Sequence, residues 1–408
     1  SHLKVNGVKA PLGYRFDYLT FSWRLEGQLE PLEECSVEIS KSETFAEILW
    51  SGTTKSSFNT ISTNANFLEP KTKYYWRVCF GKIEAISTFE TSKMNEPWEA
   101  KWLSYKEETK ESISFVKKFS FLKKIKQARL YTVAHGLYEV YINGVKLGDE
   151  YLTPGYHSYD LLQQYQTYDV TDFLIEDTEV SFIVGNGWYR GRFIFEGGFE
   201  NIYGNKQQLI AELQVEYTDG TWERFGSDET WLVETNCIQE NSIYDGEIID
   251  FTYEKNVLTT EVIDGNTALL TPRLDLPVEV VEEFSPRIFF DTKNQMILDF
   301  RQEITGWICT ELLENKESVR FQFGELLQNG AFYTENLRTA KQEFIIKNGV
   351  KGMKLRPHFT FFGFRYVKVE GLSQEEADLV VAQALQSKMD ETFEFSSSNS
   401  ELNQLLSN

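Results

Sequence analysis

Apolar and polar residues alternate along most of this chain with a period of two. Phe21-Ser22-Trp23-Arg24-Leu25, Cys35-Ser36-Val37-Glu38-Ile39 and Tyr75-Trp76-Arg77-Val78 each offer one face to a core and the other to water. Leu49-Trp50-Ser51-Gly52 supplies a strand end and turn. Leu68-Glu69-Pro70-Lys71-Thr72-Lys73-Tyr74 sets a proline turn and a tyrosine ahead of a strand. This spacing predicts a fibronectin-III-like β-sandwich over residues 1–95, with Trp23 and Trp76 in its core.

Asn95-Glu96-Pro97-Trp98 reads as a linker into a second unit over 100–270. Its strand candidates are 114–119, 128–133, 137–142, 179–184, 209–217 and 222–227, with Asn143-Gly144 and Asp219-Gly220 as hairpin turns. A third sandwich is predicted over 280–390, with strands at 296–300, 306–311, 318–324 and 364–370 and a capping box at Ser373-x-x-Glu376. Residues 391–408 read as a linker and the capped start of a helix, with Leu402, Leu405 and Leu406 at helical spacing. Two turns cannot bury an apolar face alone, so this helix is expected to open a further, helical domain. The fold class is all-β: a fibronectin-III-like sandwich followed by two jelly-roll-type β-sandwich domains.

Composition narrows the ligands. With 41% hydrophobic and 25% charged residues, 408 residues can form several soluble globular cores. The formal charge of −21 argues against nucleic acid and against an anionic membrane surface, leaving neutral ligands such as glycans, or cations. No window approaches the roughly eighteen consecutive apolar residues of a membrane helix. Cys35, Cys79, Cys237 and Cys309 are too scattered for a zinc site or a disulfide framework, so the expected compartment is cytoplasmic. The opening Ser1-His2-Leu3 reads as a cloning scar that hides any native signal peptide.

The chemistry-bearing candidates are few. No phosphate loop, nucleophile elbow, HExxH or EF-hand motif occurs, and His135, His157 and His358 are scattered, which favours structural roles. Asn186-Gly187-Trp188-Tyr189-Arg190-Gly191 has the makings of a sugar site: aromatic faces for pyranose C–H groups, amide and guanidinium for hydroxyls, glycines for close approach. The competing reading packs Trp188 and Tyr189 between strands and leaves the glycines to form a bulge. Asp245, Glu247 and Asp250 supply hard oxygen ligands for calcium, or a solvated turn. Glu325, Asn336 and Arg338 sit on a polar loop after a strand and are read as an interdomain contact.

At these residues the chain resembles the N-terminal, non-catalytic half of bacterial α-L-rhamnosidases of glycoside hydrolase family 78. Ala10-Pro11-Leu12-Gly13 resembles the family's opening module. Leu137-Tyr138 through Asn143-Gly144, Gly148-Asp149, Leu152-Thr153-Pro154-Gly155, Tyr165 to Thr171, Gly185 to Gly191 and Tyr244-Asp245-Gly246-Glu247 resemble its second domain. Gly324-Glu325-Leu326, Asn336-Leu337-Arg338 and Gly363-Phe364-Arg365-Tyr366-Val367 resemble the third. Gly155-Tyr156-His157 departs from the family's Gly-Trp-Thr.

The resemblance implies a parent glycosidase that removes terminal L-rhamnose with inversion, through an (α/α)6 barrel expected after Phe395. The family's catalytic acidic motif has no counterpart here, so no catalytic residue is carried over and this chain alone is expected to be inactive. In some relatives the second domain binds rhamnose through calcium. The resemblance adds Asn143 and Asp149 to Asn186, Trp188, Tyr189 and Arg190 as the carbohydrate-binding set. The expected partners are rhamnose-containing glycans or glycosides and the chain's own catalytic helical domain. The alternative is an independent lectin-like or adhesion module.

Overall fold

The computed structural model describes residues 1–25, 34–55, 58–193, 198–391 and 393–407. Thr392 and Asn408, in the predicted linker and helix start, lie outside the described residues. Over the first 95 residues a three-stranded sheet (Lys4–Val5, Tyr18–Ser22, Thr60–Asn64) packs on a five-stranded one. The five run in the order Leu12–Tyr14, Ile83–Thr91, Lys73–Phe80, Glu34–Ser40, Trp50–Lys55. Period-two patterning produces the packing: Cys35, Val37 and Ile39 are buried while Ser36 and Glu38 between them are half-buried. The Phe21 ring lies 4.8 Å from Trp76 at the centre of the sandwich.

Sheets of six and seven strands then enclose a core that includes Phe115, Tyr138, Phe182, Leu213 and Trp231. Asn143 and Gly144 turn one hairpin at φ of 50° and 78°, and Asn143 Oδ1 accepts the Glu179 N–H at 2.9 Å. Such backbone angles cost little for Asn and Gly and more for other residues.

The main sheet of the third unit has ten strands, and two come from within the predicted second unit. Ile238–Ser242 and Gly246–Asp250 form a hairpin at its edge, and Gly246–Asp250 pairs in parallel with Glu343–Gly349, from Glu247 opposite Phe344 to Asp250 opposite Lys347. Ile238 and Ile249 thereby join Leu298, Trp307, Phe321 and Phe362 in one core, together with Leu137 and Leu152. At another edge Val278–Phe284 pairs with Val381–Ser387. The sixteen-residue strand Met296–Glu311 shifts register between Asp299 and Ile304, where Arg301 stands at φ 64°. That irregularity bends the strand so that it serves different partners at its two ends. Ser373 and Glu376 form the reciprocal cap that their spacing predicts. The closing helix Ser400–Ser407 leaves Leu402, Leu405 and Leu406 exposed.

Buried ion pairs cross the unit boundaries. Arg129 forks onto Glu90 (2.7 and 2.8 Å), and Lys93 pairs with Glu212 where both are almost wholly buried. Arg356 meets Glu139 at 2.7 Å, with its guanidinium over the rings of Tyr151 and Trp307. Burial alone would raise the Glu139 carboxyl, but Arg356, His358 and the Tyr141 hydroxyl outweigh it and hold its pKa below the ordinary value. A folded-state pKa depressed in this way adds stability above the unfolded carboxylate value of about 4.3, and that stability is lost as pH falls through the folded value.

Three outcomes are expected from this connectivity and from the buried Glu139–Arg356 pair. A fragment of residues 280–390, lacking the 238–250 hairpin and Val278–Glu279, is expected to show no cooperative thermal transition; a sharp melt by circular dichroism would contradict it. Glu139→Ala strands Arg356 unpaired in the interior and is expected to cost about 3–5 kcal/mol in urea unfolding at neutral pH. The same variant should lose less stability than the parent on acidification below about pH 4.

Candidate functional site

The strand Asp177–Gly185 runs into a single helical turn, Gly187–Arg190, and this turn rests on the 238–250 hairpin. Gly185 makes the approach possible. A side chain there would overlap the Phe359 ring and come within 2.7 Å of Asn241 Oδ1. Asn241 Oδ1 accepts the Asn186 N–H at 2.5 Å, and the Asn241 carbonyl accepts from Asn186 Nδ2 at 2.8 Å. Asn186 Oδ1 in turn accepts from Gln207 Nε2 at 2.8 Å. The glycine is there for the chain's own packing, and it brings the second and third units into contact.

Arg190 and Arg192 leave this turn toward a common opening. Arg190 donates to Gln207 Oε1 at 3.1 Å and to the Thr109 carbonyl. Arg192 forks onto Asp245 at 3.0 and 2.8 Å, and also donates to the Thr339 carbonyl at 2.8 Å. Its hydrogen bonds to the Asp245 carboxylate raise the Arg192 pKa above its ordinary value. Arg190, Arg192, Thr109 and Asp245, together with Asn241 and Lys341, line an open cleft of ≈ 700 Å³ at the seam of the two units. Fixed donors and acceptors of both signs on a mainly polar wall suit a neutral, hydroxyl-rich ligand.

The predicted site residues distribute as follows. Asn186 and Arg190 line the cleft; Trp188 and Tyr189 are not among the residues lining it. Trp188 packs against the third core, its ring 6.1 Å from Tyr156 and 6.5 Å from Phe361. Tyr189 is buried, stacked at 4.5 Å on His135, and burial pushes its hydroxyl up to about 12. Asn143 is engaged in its hairpin turn and Asp149 is exposed beyond it, both outside the cleft lining. His135 and His157 are buried, and burial holds the His157 pKa down at about 4.

The three carboxylates weighed for calcium go to three different sets of partners. Asp245 faces Arg192. Glu247 is buried and accepts the His358 N–H (2.9 Å), His358 Nδ1 (3.0 Å) and the Phe359 N–H (2.9 Å). Asp250 accepts from Thr252 and Asn348. Calcium needs about six to eight oxygen ligands around one point. Among the described residues no three His, Cys, Asp or Glu side chains gather to hold a metal. These three residues therefore do not fit a shared calcium ion.

On the third unit, Asn336 Nδ2 donates to Glu325 Oε2 at 2.9 Å, and Arg338 is exposed at φ 58°. Glu325 also lines a second open groove with Arg301, Glu303, Arg365 and Gln404 of the closing helix. Sequence reasoning missed Arg192 and Asn241 in the first cleft, the buried Gln207 that holds Asn186 and Arg190 from behind it, and Arg301 and Glu303 in the second. Arg192 had a signal, because it repeats Arg190 at a spacing of two. Asn241 and Gln207 had none, since their roles depend on pairing far along the chain.

The comparisons with known proteins agree along the whole length. Residues 1–95 match the model described as "Rha78A-like, N-terminal immunoglobulin domain", residues 123–288 "Alpha-L-rhamnosidase N-terminal domain", and residues 291–387 "Bacterial alpha-L-rhamnosidase concanavalin-like domain". A curated α-L-rhamnosidase of Alteromonas sp. (strain LOR) is 29% identical, over 100% of this chain and 49% of its own length. The solved structure of native α-L-rhamnosidase from Aspergillus terreus superposes with a TM-score of 0.91 at 28% identity, covering 99% of this chain and 51% of that one. That of the Dictyoglumus thermophilum α-L-rhamnosidase gives 0.85 at 28%, covering 99% and 50%. The chain thus spans about half the length of these relatives. No helix among the described residues is long and apolar enough to cross a membrane.

Gly185→Ala tests the seam. Pushing a methyl into the Phe359 ring is expected to cost about 1–3 kcal/mol by denaturant unfolding.

Proposed function

The chain belongs to the α-L-rhamnosidase family, and from that premise we propose that it is the accessory β-sandwich part of a glycosidase acting on terminal α-L-rhamnosides. In this reading the three sandwiches support a helical catalytic domain, and the cleft between the second and third holds rhamnose-containing glycosides. One observation carries the binding role. The Asn186–Arg190–Arg192–Asp245 cleft lies at the seam of the two units that match the rhamnosidase N-terminal and concanavalin-like models. A rhamnose ring presents hydroxyls that need both donors and acceptors, and a guanidinium beside a carboxylate offers both. The supporting role rests on the exposed leucines of Ser400–Ser407 beside the groove of Arg301, Glu303, Glu325 and Arg365, which suit a helical neighbour. A free-standing lectin-like module is not favoured, since the relatives matched over the whole chain are α-L-rhamnosidases about twice as long.

Calorimetric titration with L-rhamnose is expected to give saturable heat in the millimolar range. Arg192→Ala should weaken it by removing the cleft's contribution, and adding or chelating calcium should leave it unchanged. Absence of heat from the unsubstituted chain would remove the binding role. An aryl α-L-rhamnoside should remain uncleaved by this chain; robust hydrolysis would overturn the accessory role.

A further inference from the structure

A column of near-parallel rings runs from the interior of the second unit to its surface. Trp102 stacks on His135 at 4.3 Å and 27°, His135 on Tyr189 at 4.5 Å and 17°, and Tyr189 lies parallel to Tyr203 at 6.5 Å and 19°. The first three rings are buried and Tyr203 is half-buried. Its hydroxyl bonds at 3.0 Å to that of Tyr156, which is 53% exposed.

The column is held from below and from the side. Tyr159, itself buried, lies 4.9 Å from Tyr203 and 5.0 Å from Tyr189. Both nitrogens of His135 are bonded, to Gln208 at 2.6 Å and Gln163 at 3.0 Å. Gly204 admits no side chain, because one would overlap the Tyr189 ring, so the backbone after Tyr203 lies against the column. Trp188 meets Tyr156 edge-on at 6.1 Å.

An isolated exposed tyrosine needs no explanation. Here two exposed or half-exposed rings are backed by five beneath and beside them, so a ligand that stacks on them orders little that is not already ordered. Leu161, Phe199 and Ile202 are further exposed apolar side chains on the same two loops. The exposed Asp160, whose charge acts on the Tyr203 hydroxyl, and Asn201 supply polar groups nearby. The chain's −21 charge disfavours an anionic occupant. We propose that the Tyr156–Tyr203 pair is a second carbohydrate contact, a stacking platform for the C–H face of a neutral pyranoside, distinct from the Arg192 cleft. Asn201 lines that cleft and Tyr203 lies two residues on, so a branched or extended glycan reaches both. The platform uses none of the cleft's arginines, and its assignment stands if the cleft binds nothing.

Saturation-transfer difference NMR with methyl α-L-rhamnopyranoside tests it on the whole chain. The expected result is selective saturation of the ring C–H protons of the sugar, retained in Arg192→Ala and weakened about tenfold in affinity by Tyr203→Ala. Tyr203→Phe keeps the ring and should keep the signal, which separates stacking from hydroxyl contacts. Thermal melting of each variant identifies any that fail to fold, and Tyr156→Ala, at a more exposed position, then supplies the same test. Unchanged affinity in both alanine variants, loss of all saturation in Arg192→Ala, or no saturation in the unsubstituted chain overturns the platform. Loss only in Arg192→Ala leaves the cleft reading standing by itself.

Discussion

The parallel ladder between Gly246–Asp250 and Glu343–Gly349 is the constraint from which much of this architecture follows. Backbone groups in a protein interior must be paired, and a hairpin that leaves its own unit must find an edge elsewhere. Gly246 allows the close approach, since any side chain there would overlap the Glu343 carbonyl. Once the hairpin is docked, Glu247 is buried where it accepts the His358 and Phe359 N–H groups, and Asn241 is presented to the turn after Gly185. The cleft is the space left between these elements.

The same docking explains why charged side chains lie at the seams. An interface between sandwiches interrupts both cores, and the groups caught there must be satisfied by partners rather than by water. Glu90–Arg129, Glu212–Lys93 and Glu139–Arg356 meet that need across successive boundaries. Their value lies less in net stability than in penalising any arrangement that separates the partners. Three units held this way present the cleft and the aromatic platform in one fixed relation.

Residues 186–193 and 198–203 contribute to both surfaces. Arg190, Arg192 and Asn201 contribute to the polar cleft, while Trp188 and Tyr203 contact the aromatic group around Tyr156. Polar hydroxyl partners and apolar ring faces are the two things a pyranose requires, and here they come from one short stretch of chain. Tyr189 shows the division of labour: its ring is buried in the column and supports Tyr203 from within.

Alternation of apolar and polar residues, turn dipeptides such as Asn143-Gly144 and the Ser373–Glu376 cap are local signals, so sequence alone determined the all-β class and many of its strands and turns. The order of individually weak motifs likewise marked the family, because it needed no knowledge of contacts. The 186–191 stretch stood out in the sequence through its density of amide, aromatic and guanidinium groups, and two of its members, Asn186 and Arg190, line the cleft. The direction in which each side chain points was not legible. Trp188 and Tyr189 differ from Arg190 and Arg192 only in which neighbour they meet, and Asp245, Glu247 and Asp250 are close in sequence yet face separate partners. Strand pairing across nearly a hundred residues, as between 247 and 344, leaves no mark in local patterning, because many exposed edges can satisfy a strand's hydrogen bonds. Tertiary structure alone decided which edge was taken, and with it where the cleft lies.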